Sequence, residues 1–392
     1  MKGSEDFCVL AKKIFTPYEE IEDGFIIVED GKIREVGFKS KLKRKDLNII
    51  DFGNSIVAPG FIDVHMHGIA GSYTMEARPE SVERMTQALA AHGVTSFAPT
   101  LESAPIDTLK KSIEAIISVK KRGVFGAKIV GINVEGPFLN PEKAGAMKAE
   151  YLRPPNIEEF EELNRSSQNN VKLITVAPEL PTGIEFVKYA SSLGVTVSLG
   201  HSNATYMEAM EAINAGASHV THLFNAMRSF HHREPGIVGA VLENPNVKVE
   251  LICDLVHLHP SAIKLVYNVK PIDSIVTVTD SVFADTPKGV QKTWEWEIIV
   301  KEDAAFLPDG TLAGSILTQD RALRNLVFKV GIPIKSALKT LTINPAKAIK
   351  MEKEIGSVEK GKNADFVVLD GNLNVQKTFI NGKEARGFES KC

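Results

Sequence analysis

Cysteine is scarce in this 392-residue sequence: Cys8, Cys253 and Cys392 are scattered, odd in number and form no CxxC. That excludes a disulfide framework and a cysteine-based zinc finger. No apolar run is long enough to span a bilayer, and the start, Met1-Lys2-Gly3-Ser4-Glu5-Asp6, turns acidic. The expectation is a cytoplasmic protein with neither signal peptide nor membrane partner. No sign of charge dominates: 46 Lys and Arg against 49 Asp and Glu leave −3. Nucleic acid and anionic membranes are therefore not expected as partners. No GxGxxG follows the first strand of the central region, so a dinucleotide-binding domain has no positive support.

What is present is a large supply of core, 43% hydrophobic residues, enough for one large α/β barrel with an accessory domain. Both ends read as β structure. Gly24–Val28 and Lys32–Gly37 flank an Asp30-Gly31 turn, Ile49–Gly53 follows, and Ala364–Asp370 and Val375–Ile380 have the same texture near the other end. Segments 1–57 and 351–392 are expected to combine into one small β-sandwich domain. Between them, strand candidates start at about Ile56, Thr95, Lys128, Lys172, Val195, Ser218, Val247 and Ser274. Helical patterns alternate with them: Ser81–His92, Ile106–Arg122, Gly183–Leu193, Tyr206–Ala215 and Pro260–Val269, then Thr318–Val330 and Ile334–Thr340. Eight such units over residues 58–350 predict a (β/α)8 TIM-like barrel, with chemistry at the C-terminal strand ends. A doubly wound sheet is the alternative.

The stretch Phe61-Ile62-Asp63-Val64-His65-Met66-His67-Gly68 stands out. Residues two apart on a strand share a face, so His65 and His67 project together. Neutral imidazole ligates divalent transition metals, although two histidines at a strand end can equally be hydrogen-bonded structure. The other strand ends add polar residues: Glu135 after strand three, His201 after five, His222 after six, Asp254 and then His257 after seven, and Asp280 after eight. Each alone could bond a loop or cap a helix. In a barrel they converge on one mouth, and histidines with carboxylates suit one or two zinc or iron ions. His219, three residues before His222, is read as structural.

The HMH of strand one, the histidines of strands five and six and the aspartate of strand eight resemble the amidohydrolase superfamily. Within it the sequence is similar to the N-acetylglucosamine-6-phosphate deacetylases. The similarity runs through Pro59–His65, Glu135-Gly136-Pro137-Phe138-Leu139-Asn140, Gly200-His201-Ser202 and Thr221–Met227. It continues through His231-His232-Arg233-Glu234-Pro235-Gly236, Val278-Thr279-Asp280, Asp309–Ser315, Asn344-Pro345-Ala346 and Gly361–Asp365. The resemblance implies that Glu135, His201 and His222 hold the main metal, and that His65 and His67 hold a second. Zinc or iron is implied, with manganese and cobalt as alternatives. Many superfamily members place a bridging lysine at the end of strand four; here that end reads Ala177-Pro178-Glu179. Glu135 is expected to take the lysine's place. Asp280 would accept the proton of the attacking water and return it to the departing amine, or serve as a further ligand. Arg233 and His257 would meet the phosphate, Arg233 through the site of a neighbouring subunit in a homodimer. Asn225 and Ala226 would bind the sugar phosphate, with Ala146, Met147, Asp254, Leu312, Ala313 and Gly314 completing the pocket. His231 and His232 would orient Arg233.

Two departures from that pattern concern the substrate. Family members carry histidine where Met147 follows Gly145-Ala146, and methionine donates no hydrogen bond. Glycine is also usual after the strand-seven aspartate, where Leu255 stands. The implied reaction is release of acetate from N-acetylglucosamine 6-phosphate. The neighbouring reading is an amidohydrolase for another N-acyl sugar or a cyclic amide. A non-catalytic scaffold of the same fold would show eroded ligands, and here the set is intact.

Overall fold

The computed structural model describes residues 6–44, 46–295 and 297–385; Cys392 lies outside them. At its centre eight parallel strands run in chain order: Phe61–Met66, Val94–Leu101, Ile132–Glu135, Val171–Val176, Thr196–Leu199, His219–Val220, Lys248–Ile252 and Ile275–Val278. They are apolar and rich in β-branched residues; Val94–Leu101, for example, is buried along its whole length. That is the signature of strands covered on both faces. The eighth strand closes onto the first just past the strand ends. Asp280 N donates to His65 O at 2.9 Å, His67 N to Ser281 O at 2.8 Å, and Thr279 Oγ1 to the Asp63 carboxylate at 2.7 Å.

The surrounding helices bury one stripe each. Ile106–Arg122 packs Leu109, Ile113, Ile116 and Ile117 inward and ends on Lys120, Lys121 and Arg122, which complement the negative end of its dipole. Tyr206–Ala215 starts from a capping box formed by Thr205 and Glu208. The single helix read over Thr318–Val330 divides into an α-helix, Gln319–Arg324, and a π-helical stretch, Asn325–Val330.

Both β-rich ends do meet in one sheet. Phe366–Leu369 pairs antiparallel with Ile56–Pro59, which pairs with Phe7–Phe15, followed by Glu20–Glu29 and Lys32–Phe38. Val375–Ile380 pairs with the far side of Phe366–Leu369, so Phe7 and Phe379 sit three strands apart, about 14 Å in a flat sheet, yet their rings lie 5.9 Å apart. The sheet therefore curls around its own core of Val9, Ile14, Ile26, Val57, Phe366 and Phe379. The sandwich is realised as one curled sheet.

The first barrel strand differs from the sequence reading, which starts it at Ile56. The extended run splits at Gly60, with Ile56–Pro59 in the small sheet and Phe61–Met66 in the barrel. A Cβ at Gly60 would lie 2.2 Å from the Thr95 methyl, so only glycine lets the chain pass there. A second feature has no counterpart in the sequence reading. After strand eight, Gly289–Lys292, Glu297–Val300 and Ala305–Phe306 form a three-stranded antiparallel flap over the barrel mouth.

Candidate metal centre and substrate cavity

Three residues at the C-terminal ends of barrel strands leave their strands through left-handed backbone: His201 at φ 47°, His222 at φ 29° and Asp280 at φ 48°. Side chains other than glycine rarely adopt that region, and its strain concentrates where geometry serves a site. The turn lifts each side chain from the strand into the barrel mouth. There the predicted ligands come together in two groups that share Glu135. Glu135 Oε2 lies 3.3 Å from His65 Nε2 and 3.2 Å from His67 Nε2, and Asp280 Oδ1 lies 3.4 and 3.2 Å from the same two nitrogens. Glu135 Oε1 lies 3.1 Å from His201 Nε2 and 3.0 Å from His222 Nε2. Donor atoms bound at 2.0–2.2 Å to one ion stand about 3 Å apart at tetrahedral or octahedral angles.

The tautomers follow from the second contacts. Glu250 Oε2 lies 2.9 Å from His65 Nδ1. A carboxylate only accepts, so Nδ1 carries the proton and the Nε2 lone pair faces the centre. Lys143 O does the same for His201 Nδ1 at 2.8 Å. His65 Nε2 is buried and has no hydrogen-bond partner among the described residues. Burial opposes charge on His65 and His67, but the carboxylates around them outweigh it, raising His65 well above its usual value and His67 to about 9. Burial would likewise raise Glu135 and Asp280, yet the histidines hold both below the usual carboxylate range. The cluster therefore favours added positive charge. An orphaned imidazole nitrogen, ligand spacing and acidic surroundings together fit a divalent cation.

The centre floors a cavity of about 250 Å³. Ala146, Met147, Asn225, Ala226, His257, Leu312, Ala313 and Gly314 line it, and Ile298 and Leu307 of the flap region help roof it. Asp254 stays behind the wall and holds His257: its Oδ2 accepts from His257 Nδ1 at 2.7 Å, and its Oδ1 from Val256 N and His257 N at 2.9 Å each. Leu255, in the position usual for glycine, takes φ 71° in that turn. Arg233 is not brought into its own chain's cavity. Glu234 pins the loop outward by accepting from Tyr206 N at 2.8 Å, and Arg233 is exposed, 3.1 Å from His232 Nε2. Glu179 lies outside both groups; it accepts from Asn140 Nδ2, Ser202 Oγ and Asn203 N, tying together the loops after strands three, four and five.

Two acids escape the sequence reading. Glu250 accepts from both His65 and His219, the latter at 3.1 Å, which gives His219 its structural place. Glu102 lines the cavity, bonded by Tyr73 Oη at 2.9 Å and by the Trp294 indole N–H. Burial raises its pKa against the opposing pull of His67 and those two bonds. A charged residue inside an apolar strand or at its end is the available signal, since such a group needs donors.

Comparison with known proteins bears on the family and the fold. The model of the amidohydrolase family matches residues 56–385. An N-acetylglucosamine-6-phosphate deacetylase of Bacillus subtilis (strain 168) is 34% identical, over 95% of this chain and 95% of its own. An N-acetylgalactosamine-6-phosphate deacetylase of Escherichia coli O157:H7 is 31% identical, over 96% and 98% respectively. The solved structure of a variant N-acetyl-D-glucosamine-6-phosphate deacetylase from Mycobacterium smegmatis, in complex with N-acetyl-D-glucosamine-6-phosphate, superposes with a TM-score of 0.92 at 28% identity, covering 97% of this chain and 99% of that one. By a family match over most of its length, and by relatives a third identical from end to end, the chain belongs to the amidohydrolase family.

Proposed function

We propose that this chain hydrolyses the acetamide of N-acetyl-D-glucosamine 6-phosphate, releasing acetate and D-glucosamine 6-phosphate for amino-sugar catabolism. The observation that carries it is the pair of donor groups sharing Glu135 on the floor of a cavity lined by Asn225, Ala226 and His257. Glu135, His201 and His222 would hold the main metal, and His65 and His67, with Glu135 and Asp280, would hold a second where two are bound. Zinc or iron suits these donors, manganese or cobalt less so. When bound, the metal lowers the pKa of water and polarises the amide carbonyl.

The chain's own groups do the rest. Asp280, held ionised, takes the proton of the attacking water at its carboxylate and delivers it to the leaving amine. Asn225, Ala226 and His257 anchor the sugar phosphate, and Asp254 fixes the His257 ring. Ala146, Met147, Leu312, Ala313 and Gly314 shape the pocket and exclude water. Arg233, on an exposed loop, reaches the phosphate in the neighbouring subunit of a homodimer. Residues 58–350 form the catalytic unit, 1–57 and 351–392 the accessory one, and the enzyme works in the cytoplasm. No helix among the described residues is long and apolar enough to cross a membrane. The Escherichia coli relative supports a second reading, in which the substrate is the C4 epimer.

The test is acetate release from N-acetylglucosamine 6-phosphate, its galacto epimer and unphosphorylated N-acetylglucosamine, on protein of measured metal content. Rapid turnover of the phosphorylated gluco sugar is expected. Asp280→Asn should lower kcat by about 10²–10⁴-fold. Preference for the unphosphorylated sugar at full metal occupancy would reject the substrate assignment.

A further inference from the structure

Glu102 takes no part in the hydrolysis outlined above, yet it is a carboxylate in the wall of the same cavity. It directly follows the second barrel strand and is only 8% exposed. Tyr73 and Trp294 each donate one hydrogen bond to it, and both donors are neutral. No lysine or arginine pairs with it among the described residues. A carboxylate has about four acceptor positions, so about half of its capacity has no partner among the described residues. Burying a charge so incompletely compensated is costly. The unfilled capacity borders the cavity, where a substrate donor can fill it.

Its position narrows which donor. In an eight-stranded barrel, strand two stands across from strand six, whose end carries Asn225 and Ala226, and His257 follows strand seven. A phosphate anchored on that side is kept away from Glu102, as like charge requires. Tyr73 bridges Glu102 and the metal centre, its ring stacked on His67 with centroids 6.1 Å apart. Glu102 is thus one aromatic ring removed from the place where the amide reacts. The adjacent Ser103 hydroxyl is already engaged: its Oγ donates to Met147 Sδ at 3.0 Å. On a 2-acetamido sugar the C1 and C3 hydroxyls both flank the amide-bearing carbon; the C1 hydroxyl changes configuration as the free sugar mutarotates, so the C3 hydroxyl is the donor of fixed geometry beside the reacting bond.

We propose that Glu102 accepts a hydrogen bond from the C3 hydroxyl of the sugar and is a specificity-determining residue of this enzyme. The proposal rests on the function proposed above. It is tested with kcat/KM for N-acetylglucosamine 6-phosphate and its 3-deoxy and 4-deoxy analogues, on wild type, Glu102→Gln, Glu102→Leu and Trp294→Phe. Wild type should lose about 10–100-fold on the 3-deoxy sugar, the worth of a hydrogen bond to a charged acceptor, and little on the 4-deoxy sugar. In Glu102→Leu the parent and 3-deoxy sugars should become nearly equal, with Glu102→Gln intermediate and Trp294→Phe retaining the wild-type ratio. A group that only anchors Trp294 would instead slow both sugars alike, leaving the ratio unchanged on Glu102→Leu, and that overturns the proposal. So does a wild type indifferent to the 3-deoxy change, a result that needs no variant to fold. Metal-loaded wild type inactive on the parent sugar would reject the function itself, and the role of Glu102 with it.

Discussion

Glu250 decides which nitrogen of His65 faces the metal centre. Its carboxylate also accepts from His219 and from His222 N, so one side chain braces strands one and six. Glu250→Gln keeps the shape but removes the charge and replaces one acceptor by a donor. Partners of this kind set ligand basicity and orientation, and their loss typically costs 10–100-fold in metal affinity or activity. The expected result is a loss of about that size in metal retention against a chelator series, with unfolding behaviour close to wild type. Unchanged metal affinity would mean that His65 needs no orienting partner. The candidate ligands were legible because strand-end histidines have few other uses together. Glu250 was not, because Lys248-Val249-Glu250-Leu251-Ile252 reads equally well as a half-exposed strand with its polar face outward. Only closure of the barrel turns that face toward His65. Arg233 marks the opposite limit: its motif is recognisable, but which chain's cavity it serves is a matter of loop direction.

Among the elements, a joint built on His92 fastens the first barrel helix, Pro79–Ala91, to the segments after strand eight. His92 Nε2 contacts Asp285, and Nδ1 lies 3.1 Å from Asp320, which also meets Arg324 at 2.8 Å. Burial lowers the pKa of His92, but the two carboxylates outweigh it and raise it to about 9. The folded value lies above the unfolded one, near 6.5. The joint's contribution is therefore complete below about pH 6.5 and is lost as pH rises through 9. It is worth roughly 2 kcal/mol after allowance for partial exposure. Melting temperature should fall by a few degrees between pH 6.5 and 9.5, and His92→Gln should remove that part of the slope. Parallel slopes for the two proteins would sink the account. A long element with strong periodicity such as Ile106–Arg122 was read correctly from sequence, whereas the run Thr318–Val330 divides into two helical forms. The failures are instructive: Ile56–Met66 is one apolar run serving two sheets, and nothing in its composition marks the change at Gly60. The flap went unread because Gly289-Val290-Gln291-Lys292 is short and polar enough to pass for loop.

Across the whole molecule, Asp365 locks the small sheet to the barrel. Its carboxylate pairs with Lys128 beside the second barrel strand and accepts from Asn381 N at 2.8 Å, while its carbonyl accepts from Gly60 N at 3.0 Å. Breaking a buried pair costs about 3–5 kcal/mol; because Lys128 remains 24% exposed, Asp365→Ala is expected to cost about 2. Calorimetry should show one transition at lower temperature, since the strand entering the barrel at Phe61 is continuous with Ile56–Pro59. Separate melting of the small sheet, with metal content intact, would show the two parts to be independent. The pairing of the two chain ends was legible from their shared β texture, whereas this lock was not, because its members lie 237 positions apart.

That pairing also sets an order of events during synthesis. Ile56–Pro59 leaves the ribosome some three hundred residues before its partner Phe366–Leu369, a wait of roughly 15–60 s at ordinary elongation rates. Every candidate metal ligand has been translated by residue 280. A nascent chain stalled in that interval carries all the chemistry beside an open sheet edge, the kind of surface that recruits chaperones or a second chain. Phe366–Leu369 is therefore the segment whose arrival covers that edge.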